Sequence, residues 1–282
     1  MRSPLLLPAV LVAALAAGAC GAPSERASDG DGDSGGGEYS GPLRMGVTAG
    51  DGGDIARNVA DLAEESDSGL EVEVVEFSDY NVPNTALADG ELDANAFQHV
   101  QFLDEFNEAS GTDLVPVAET YLAPLALYSD TVDDPGDLPD GATIAIPNDV
   151  TNGSRSLLLL QEGGLITLDP GAEGDNHTVA DIADNPRDFT FEEIDAALLP
   201  RSLEDADASI INGGFATEAG LTPKADGILV EDAENSPYVN IIAVDSGDED
   251  DPRVAQYIEL LRSPESKAFI EEHFGETLIP VF

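Results

Sequence analysis

The stretch Ile146-Pro147-Asn148-Asp149-Val150-Thr151-Asn152-Gly153-Ser154-Arg155-Ser156-Leu157 joins the end of a strand to the start of a leucine-rich helix through a loop of capping residues. Apolar residues from Thr143 to Ile146 make a short strand, and the run from Ser156 to Gln161 belongs to a helix. The Asp, Thr and Asn side chains before that run place the helix start near Thr151 or Asn152. Free backbone N–H groups at such a start favour an anion, and an arginine in the first turn adds a planar fork that matches a carboxylate. Side chains on a helix lean toward its N-terminus, so Arg155 reaches the same spot. A ligand-carboxylate site is one reading. A cap followed by a surface arginine that meets one of many nearby acids is the other.

The same strand-then-helix grammar extends in both directions. Upstream, Leu43 to Val47 is a strand followed by Gly50-Asp51-Gly52-Gly53-Asp54 and by Ile55, Val59 and Leu62 at helical spacing. Leu70 to Val74 alternates like a strand with one wet face, Asn84 to Ala88 is a short helix ended by Gly90, and Leu92 to Ala96 is a strand. Val100, Leu103 and Phe106 mark a helix, and Leu114 to Ala118 another strand. Downstream, Phe189 to Ile194 and Ala208 to Ile211 are strands with a short helix at Leu203 to Ala206 between them. Two α/β blocks result rather than one continuous sheet. Tyr121 to Tyr128 and Tyr238 to Val244 lie between the blocks, where the chain crosses out and back, and Arg253 to Phe274 carries a helical stripe broken at Pro264 that caps the first block.

The N-terminus reads as an export signal (1–19): a charge at Arg2, an apolar run from Leu5 to Leu15 too short to span a bilayer stably, then small residues before Cys20, the chain's single cysteine. Cys20 stands where a bacterial lipoprotein signal places its lipid acceptor. A small buried thiol, or an ordinary secretory signal cleaved nearby, is the competing reading. The residues through Gly41 are Ser-, Gly- and Asp-rich and form a tether (20–41); their Asp-Gly alternation lacks the full spacing of a calcium loop. With 57 acidic against 11 basic residues and a formal net charge of -46, nucleic acid and anionic lipid headgroups are excluded as surface partners. The carboxylates form a solvated shell suited to a salty habitat, where screening weakens self-repulsion. A fall in stability as salt is lowered checks that reading.

Catalytic chemistry has no visible seat. None of the three histidines sits in a recognisable constellation, His177 and His273 being read as solvent-facing, and no metal, nucleophile or phosphate-loop motif occurs. The run Asp93-Ala94-Asn95-Ala96-Phe97-Gln98-His99 closes a strand, and in open α/β sheets ligands gather beyond the carboxyl ends of strands. Phe97 and His99 then face the cleft, the alternative being a core phenylalanine and a satisfied histidine. Tyr80 and Tyr121 supply aromatic walls suited to a thioether. Asn212 ends a strand and Asn240 lies on the return crossover, and each can bond an ammonium group. Asn148, in the loop before the central helix, joins this candidate set.

At these residues the sequence resembles the NlpA lipoprotein family, whose members include methionine-binding proteins of ABC importers. The resemblance rests on Asp79 to Asn84, Leu92 to His99, Ile146 to Gln161, Leu199-Pro200-Arg201-Ser202-Leu203, Gly220 to Pro223 and Ser236 to Asn240, in that order along the chain. It implies a two-lobed fold of the type II periplasmic-binding-protein kind, with mixed sheets flanked by helices and a ligand cleft between lobes that closes about a hinge. Lobe one is expected at 42–123 plus 240–282 and lobe two at 124–239. The resemblance further implies that Arg155 holds a ligand carboxylate, that Asn212 and Asn240 hold its polar end, and that Tyr80, Phe97, Tyr121 and His99 wall its side chain. The family commonly has a proline where this chain has Val150, which bears on loop stiffness beside Arg155. Arg201 is read as packing its loop, an interlobe or transporter contact being the minor alternative.

The expected function is a membrane-anchored extracytoplasmic binding protein for methionine, without cofactor, metal or nucleic acid. It is expected to work with an ABC permease and its ATPase. Another apolar amino acid or a short methionine-containing peptide is the alternative ligand, and an extracytoplasmic enzyme with an unrecognised site is the alternative of another class. On this reading Arg155→Ala or Asn240→Ala abolishes binding and leaves the fold intact.

Overall fold

The computed structural model describes residues 39–66, 68–172, 176–234 and 236–282. The expected export signal, Cys20 and the tether as far as residue 38 lie outside the described residues. Among the described residues, no helix is long and apolar enough to cross a membrane.

Strand β1 (Leu43–Thr48) runs into helix α1 (Asp51–Glu65) through Gly50. The φ of +83° at Gly50 is open to glycine at little cost and turns the chain within two residues. Then follow β2 (Val72–Phe77), α2 (Pro83–Ala88), β3 (Ala94–His99), α3 (Val100–Ser110) and β4 (Leu114–Glu119). Pro83 opens α2, where its missing N–H is no loss. The crossover segment holds β5 (Tyr121–Leu122) and β6 (Ala126–Tyr128). Next come β7 (Thr143–Pro147), α4 (Val150–Glu162), the small hairpin of β8 (Thr167–Leu168) and β9 (Ile182–Asp184), and β10 (Thr190–Ile194). They are followed by α5 (Leu199–Ser202), β11 (Ala208–Ile211), α6 (Gly213–Glu218), α7 (Pro223–Asp226) and β12 (Gly227–Val230). The chain then returns through β13 (Asn240–Asp245) to α8 (Pro252–Leu261), α9 (Pro264–Phe274) and β14 (Ile279–Pro280).

These elements build a two-lobed α/β fold around two five-stranded mixed sheets of matching design, ordered β2-β1-β3-β13-β4 and β10-β7-β11-β6-β12. In each, three parallel strands are followed by an antiparallel one that belongs to a crossover: β13 pairs with β3 and β4, and β6 with β11 and β12. Strand β14 pairs back onto β5 and ties the C-terminus to the outgoing crossover.

Each sheet has its own core. Leu43, Met45 and Val47 pack with Ile55 and Val59 of α1 and with Val254, Tyr257, Leu261 and Ile270 of α8 and α9. Leu127, Ile144, Ile146 and Ile210 pack with Leu157 and Leu160 of α4. Fully burying one such aliphatic side chain contributes roughly 1.5–3 kcal/mol, so these residues hold the elements that carry the site.

Three local expectations are corrected. Helix α4 starts at Val150, one to two residues before the expected position, because Asp149 is its cap and accepts from Asn152 N. The helix expected at Leu203 to Ala206 lies one turn earlier at Leu199–Ser202, since Pro200 presets the first helical turn there. Helix α6 was not expected at all, because Gly213-Gly214 at its start is a poor helix-forming pair.

Candidate ligand-binding site

A cavity lies between the sheets, at the carboxyl ends of β1, β3 and β11, where open α/β sheets place ligands. From the first sheet come Thr48, Asp51, Tyr80, Phe97, His99 and Phe102, and from the crossovers Tyr121, Ala123 and Asn240. From the second come Asn152, Arg155, Asn212 and Gly213-Gly214. Hydrogen bonds from Asn81 Nδ2 to Asp195 Oδ2 (3.2 Å) and from Gln101 Nε2 to the Pro237 carbonyl (3.1 Å) also join elements of the two halves.

The apolar wall follows from strand geometry. Phe97 and His99 are two residues apart on β3, so both side chains leave the same face, and both are buried. Tyr80 lies 5.7 Å from Phe97 and 4.7 Å from Phe215 of α6 between ring centroids, and Phe102 meets Phe97 edge-on at 5.8 Å. His99 is neutral. Burial, reinforced by the charge of Arg155, pushes its pKa down to about 3. Its Nδ1 lies 3.3 Å from Phe102 N and 3.1 Å from Gln101 Oε1, and its Nε2 3.4 Å from Asn152 Oδ1, so whichever nitrogen carries the proton has an amide oxygen beside it.

The polar wall is made of two hydrogen-bonded groups. Asn152 donates to Asp149 at 3.0 Å and its Oδ1 accepts from Asn212 Nδ2 at 2.8 Å. Arg155 is buried (4 % exposed) and its Nε and Nη2 donate to the two carboxylate oxygens of Glu231 at 2.9 and 2.5 Å. Nη2 also donates to the Ala123 carbonyl at 3.2 Å, and the guanidinium lies 4.4 Å from the centroid of Tyr238. Its Nη1 makes no hydrogen bond among the described residues and is the donor left for a ligand. Arg155 therefore meets an acid, as one reading of the sequence had it, and also lines the cavity, as the other did.

This pairing revises two expectations. The anion expected at the start of α4 is the chain's own: the Asp149 carboxylate accepts from Asn152 N at 2.9 Å and from Thr151 Oγ1 at 3.2 Å. Removing Arg155 also leaves the largely covered Glu231 carboxylate without its ion-pair partner, so Arg155→Ala does not leave the fold untouched. The Val150 departure is benign, because Val150 is the first residue of the helix, the position proline fits best, and it points to solvent.

Of the eight residues expected to bind ligand, Arg155, Asn212, Asn240, Tyr80, Phe97, His99 and Tyr121 line the cavity. Asn148 does not. It is exposed and its N–H continues the ladder to the Ile194 carbonyl at 2.9 Å, which carries it along the sheet edge rather than into the cleft. Arg201 is exposed beside a surface groove with Glu218 and Asp195 rather than packed in its loop. Cys20 lies outside the described residues.

Asp51, Thr48, Asn152, Phe102 and Gly213-Gly214 line the same cavity without having been anticipated. The signal for Asp51 was its place just beyond β1. The signal for the glycines was the absence of side chains: a Cβ on Gly213 would lie 2.8 Å from Ala123 Cβ, and one on Gly214 3.0 Å from Asp51 Oδ1.

Residues 43–282 match the model of the NlpA lipoprotein family. The D-methionine-binding lipoprotein MetQ of Escherichia coli (strain K12) is 43 % identical over 225 residues, covering 79 % of this chain and 82 % of that protein. A probable D-methionine-binding lipoprotein MetQ of Vibrio cholerae is 48 % identical over 200 residues, covering 71 % and 73 %. Among solved structures, a nutrient-binding protein from Burkholderia cenocepacia bound to methionine superposes with a TM-score of 0.82 at 42 % identity, covering 85 % of this chain and all of the other. Family match, relatives and fold agree: the chain belongs to the NlpA lipoprotein family.

Proposed function

We propose that this chain is a solute-binding lipoprotein, not an enzyme, that captures methionine and delivers it to an ABC importer. The observation that carries the reading is the cavity itself. It sets a wall of aromatic rings against a wall bearing one fully buried arginine with a free donor, which suits a ligand with an apolar tail and a carboxylate head. Arg155 Nη1 takes the carboxylate, while Asn212 and Asn240 bond the polar end. Tyr80, Phe97, Phe102, Tyr121 and His99 enclose the thioether, whose sulfur attracts aromatic edges modestly. The relatives named for methionine binding and the methionine-bound neighbour support this ligand.

Residues 42–123 with 240–282 form the first lobe and 124–239 the second, and the ligand is enclosed by their closure. Cys20 carries the lipid, so the body works on the outer face of the cell membrane, beside a permease and its ATPase.

The test is native mass spectrometry of the purified chain followed by calorimetric titration of the stripped protein with L- and D-methionine. A co-purifying mass near that of methionine and saturable heat are expected. A folded protein that gives neither overturns the methionine assignment and directs the search to other apolar amino acids and short methionine-containing peptides. Replacement of Cys20 by serine is expected to release the chain from membranes; retention removes the anchor assignment.

A further inference from the structure

Among the described residues, Asp51 is the one acidic side chain that lines the cavity. It sits at the start of α1, 2 % exposed, and faces Gly214 at the start of α6 on the opposite lobe. Its Oδ1 accepts from Gly52 N at 2.7 Å, while its Oδ2 is buried and has no hydrogen-bond partner among the described residues. Asn212 Oδ1, in the same cavity, is buried and unpartnered too, although Asn212 Nδ2 is satisfied by Asn152. Two orphaned acceptors in one cavity are costly, since an unsatisfied buried polar group costs about 1–3 kcal/mol and a charged one more. A ligand that brings several N–H donors and a positive charge removes both costs. The carboxylate of that ligand shares Arg155 with Glu231, which already balances the arginine, so Asp51 is left as the site's uncompensated negative charge.

We infer that Asp51 is the counter-charge for the ligand's α-ammonium group, and that with Asn212 Oδ1 it makes the site select zwitterionic α-amino acids over carboxylates that lack the amino group. The inference rests on the amino-acid-capture reading above and adds to it a residue, a partner atom and a specificity. The groups facing Asp51 give it no other cation. Asp54 on its own helix and Glu218 on α6 are acids, and Tyr80 and Tyr121 are phenols that burial keeps protonated. Burial first, and those acids second, push the Asp51 pKa up to about 6. An ammonium group brought against it reverses that shift. The bound state therefore holds fewer protons than the free state, so affinity is full above about 6 and declines as pH falls below it, with a proton released on binding near that pH.

The test compares L-methionine with its des-amino analogue, 4-(methylsulfanyl)butanoate, by calorimetry on the detergent-solubilised full chain and on Asp51→Asn. The substitution keeps the shape and removes the charge. The wild type is expected to prefer methionine over the analogue by about 10- to 100-fold, the range of a charge-assisted hydrogen bond. Asp51→Asn is expected to lose most of that preference, through weaker methionine binding and analogue binding at least as tight as in the wild type, and to lose the decline in methionine affinity between pH 7 and 5. Unchanged preference and pH profile in Asp51→Asn overturn the inference while leaving methionine capture intact.

A second measurement needs no variant. The Asp51 carboxyl resonance of the wild type is followed by carbon-13 NMR, and its titration midpoint is expected to fall from near 6 to below about 5 on saturation with methionine. If the wild type binds no methionine, the functional reading fails first, and the same resonance is titrated against a mixture of the standard amino acids. No downward movement with any of them overturns the role of Asp51 as well.

Discussion

The two five-stranded sheets repeat one strand order, yet they present opposite chemistry to the cavity between them. The first sheet and its helices contribute rings: Tyr80, Phe97, His99 and Phe102. The second contributes two hydrogen-bonded groups, Asn152 with Asn212 and Asp149, and Arg155 with Glu231. Topology thus supplies two equivalent platforms, and the side chains at the strand ends decide what each platform does. The apolar wall holds by contact and tolerates variation in shape. The polar wall holds by paired side chains, leaving Asn212 Oδ1 and Arg155 Nη1 open among the described residues, so loss of one member of a pair exposes the other.

That asymmetry is most severely tested at Arg155. Arg155→Ala is expected to abolish ligand heat and to lower stability by up to about 3–5 kcal/mol, because the largely covered Glu231 loses its ion-pair partner. Adding Glu231→Gln to that variant should recover much of the stability in denaturant melts and none of the binding. Full stability in the single variant would sink the picture of a self-supporting polar wall.

His99 joins the walls and carries the next effect. Its pKa of about 3 in the fold lies below its ordinary value near 6.5, so its contribution to stability is complete above pH 6.5 and is lost as pH falls toward 3, at about 1.4 kcal/mol per pH unit. Asp51 works the other way: its raised pKa favours the fold as pH falls through about 6. In His99→Gln the Asp51 trend remains without the opposing histidine one. Relative to wild type, this variant should gain about 2 kcal/mol between pH 7 and 5 in paired unfolding curves; parallel curves would mean that His99 is not held neutral.

Gly213→Ala places a methyl group where Ala123 Cβ would be 2.8 Å away and the Pro124 carbonyl 3.2 Å away. Closure of the polar wall over the crossover is then opposed, and methionine affinity should drop about tenfold with a larger radius of gyration in solution scattering. Unaltered affinity would show that the two halves need not approach so closely. Phe97→Leu should have the smallest effect: about fivefold in affinity and under ~1.5 kcal/mol in stability, because its ring contacts with Tyr80 and Phe102 are exchanged for aliphatic ones. A loss as large as that at Arg155 would erase the distinction between the walls.

Most of the strands and helices were legible because their signals are local. Alternation over Leu70 to Val74, helical spacing of Ile55 and Val59, and the leucines after Arg155 each specify one buried face. Phe97 and His99 were legible as cavity residues for the same reason, a strand end with two side chains on one face. Asn148 was misplaced because the register of β10 against β7, set by packing in the second sheet, carries it along the edge. The short helix after Leu199 was displaced by one turn because a proline start outranked the apolar pair Leu203 and Ala206.

The partner of Arg155 was beyond any local signal. Glu231 is 76 residues away in sequence, and with 57 acidic residues on the chain nothing in the composition singles it out. Asp51 posed the same difficulty in reverse: among so many solvated carboxylates, only burial distinguishes the one that matters.

The amino-acid sequence by itself determined the alternating α/β plan, the family resemblance and the set of residues able to meet an amino acid, because periodicity and strand-end position act over a few residues. Which of those residues share a cavity, which charge is balanced inside the protein and which is left for a ligand were decided by the tertiary structure. Burial and pairing depend on what packs against a side chain from the other half of the chain.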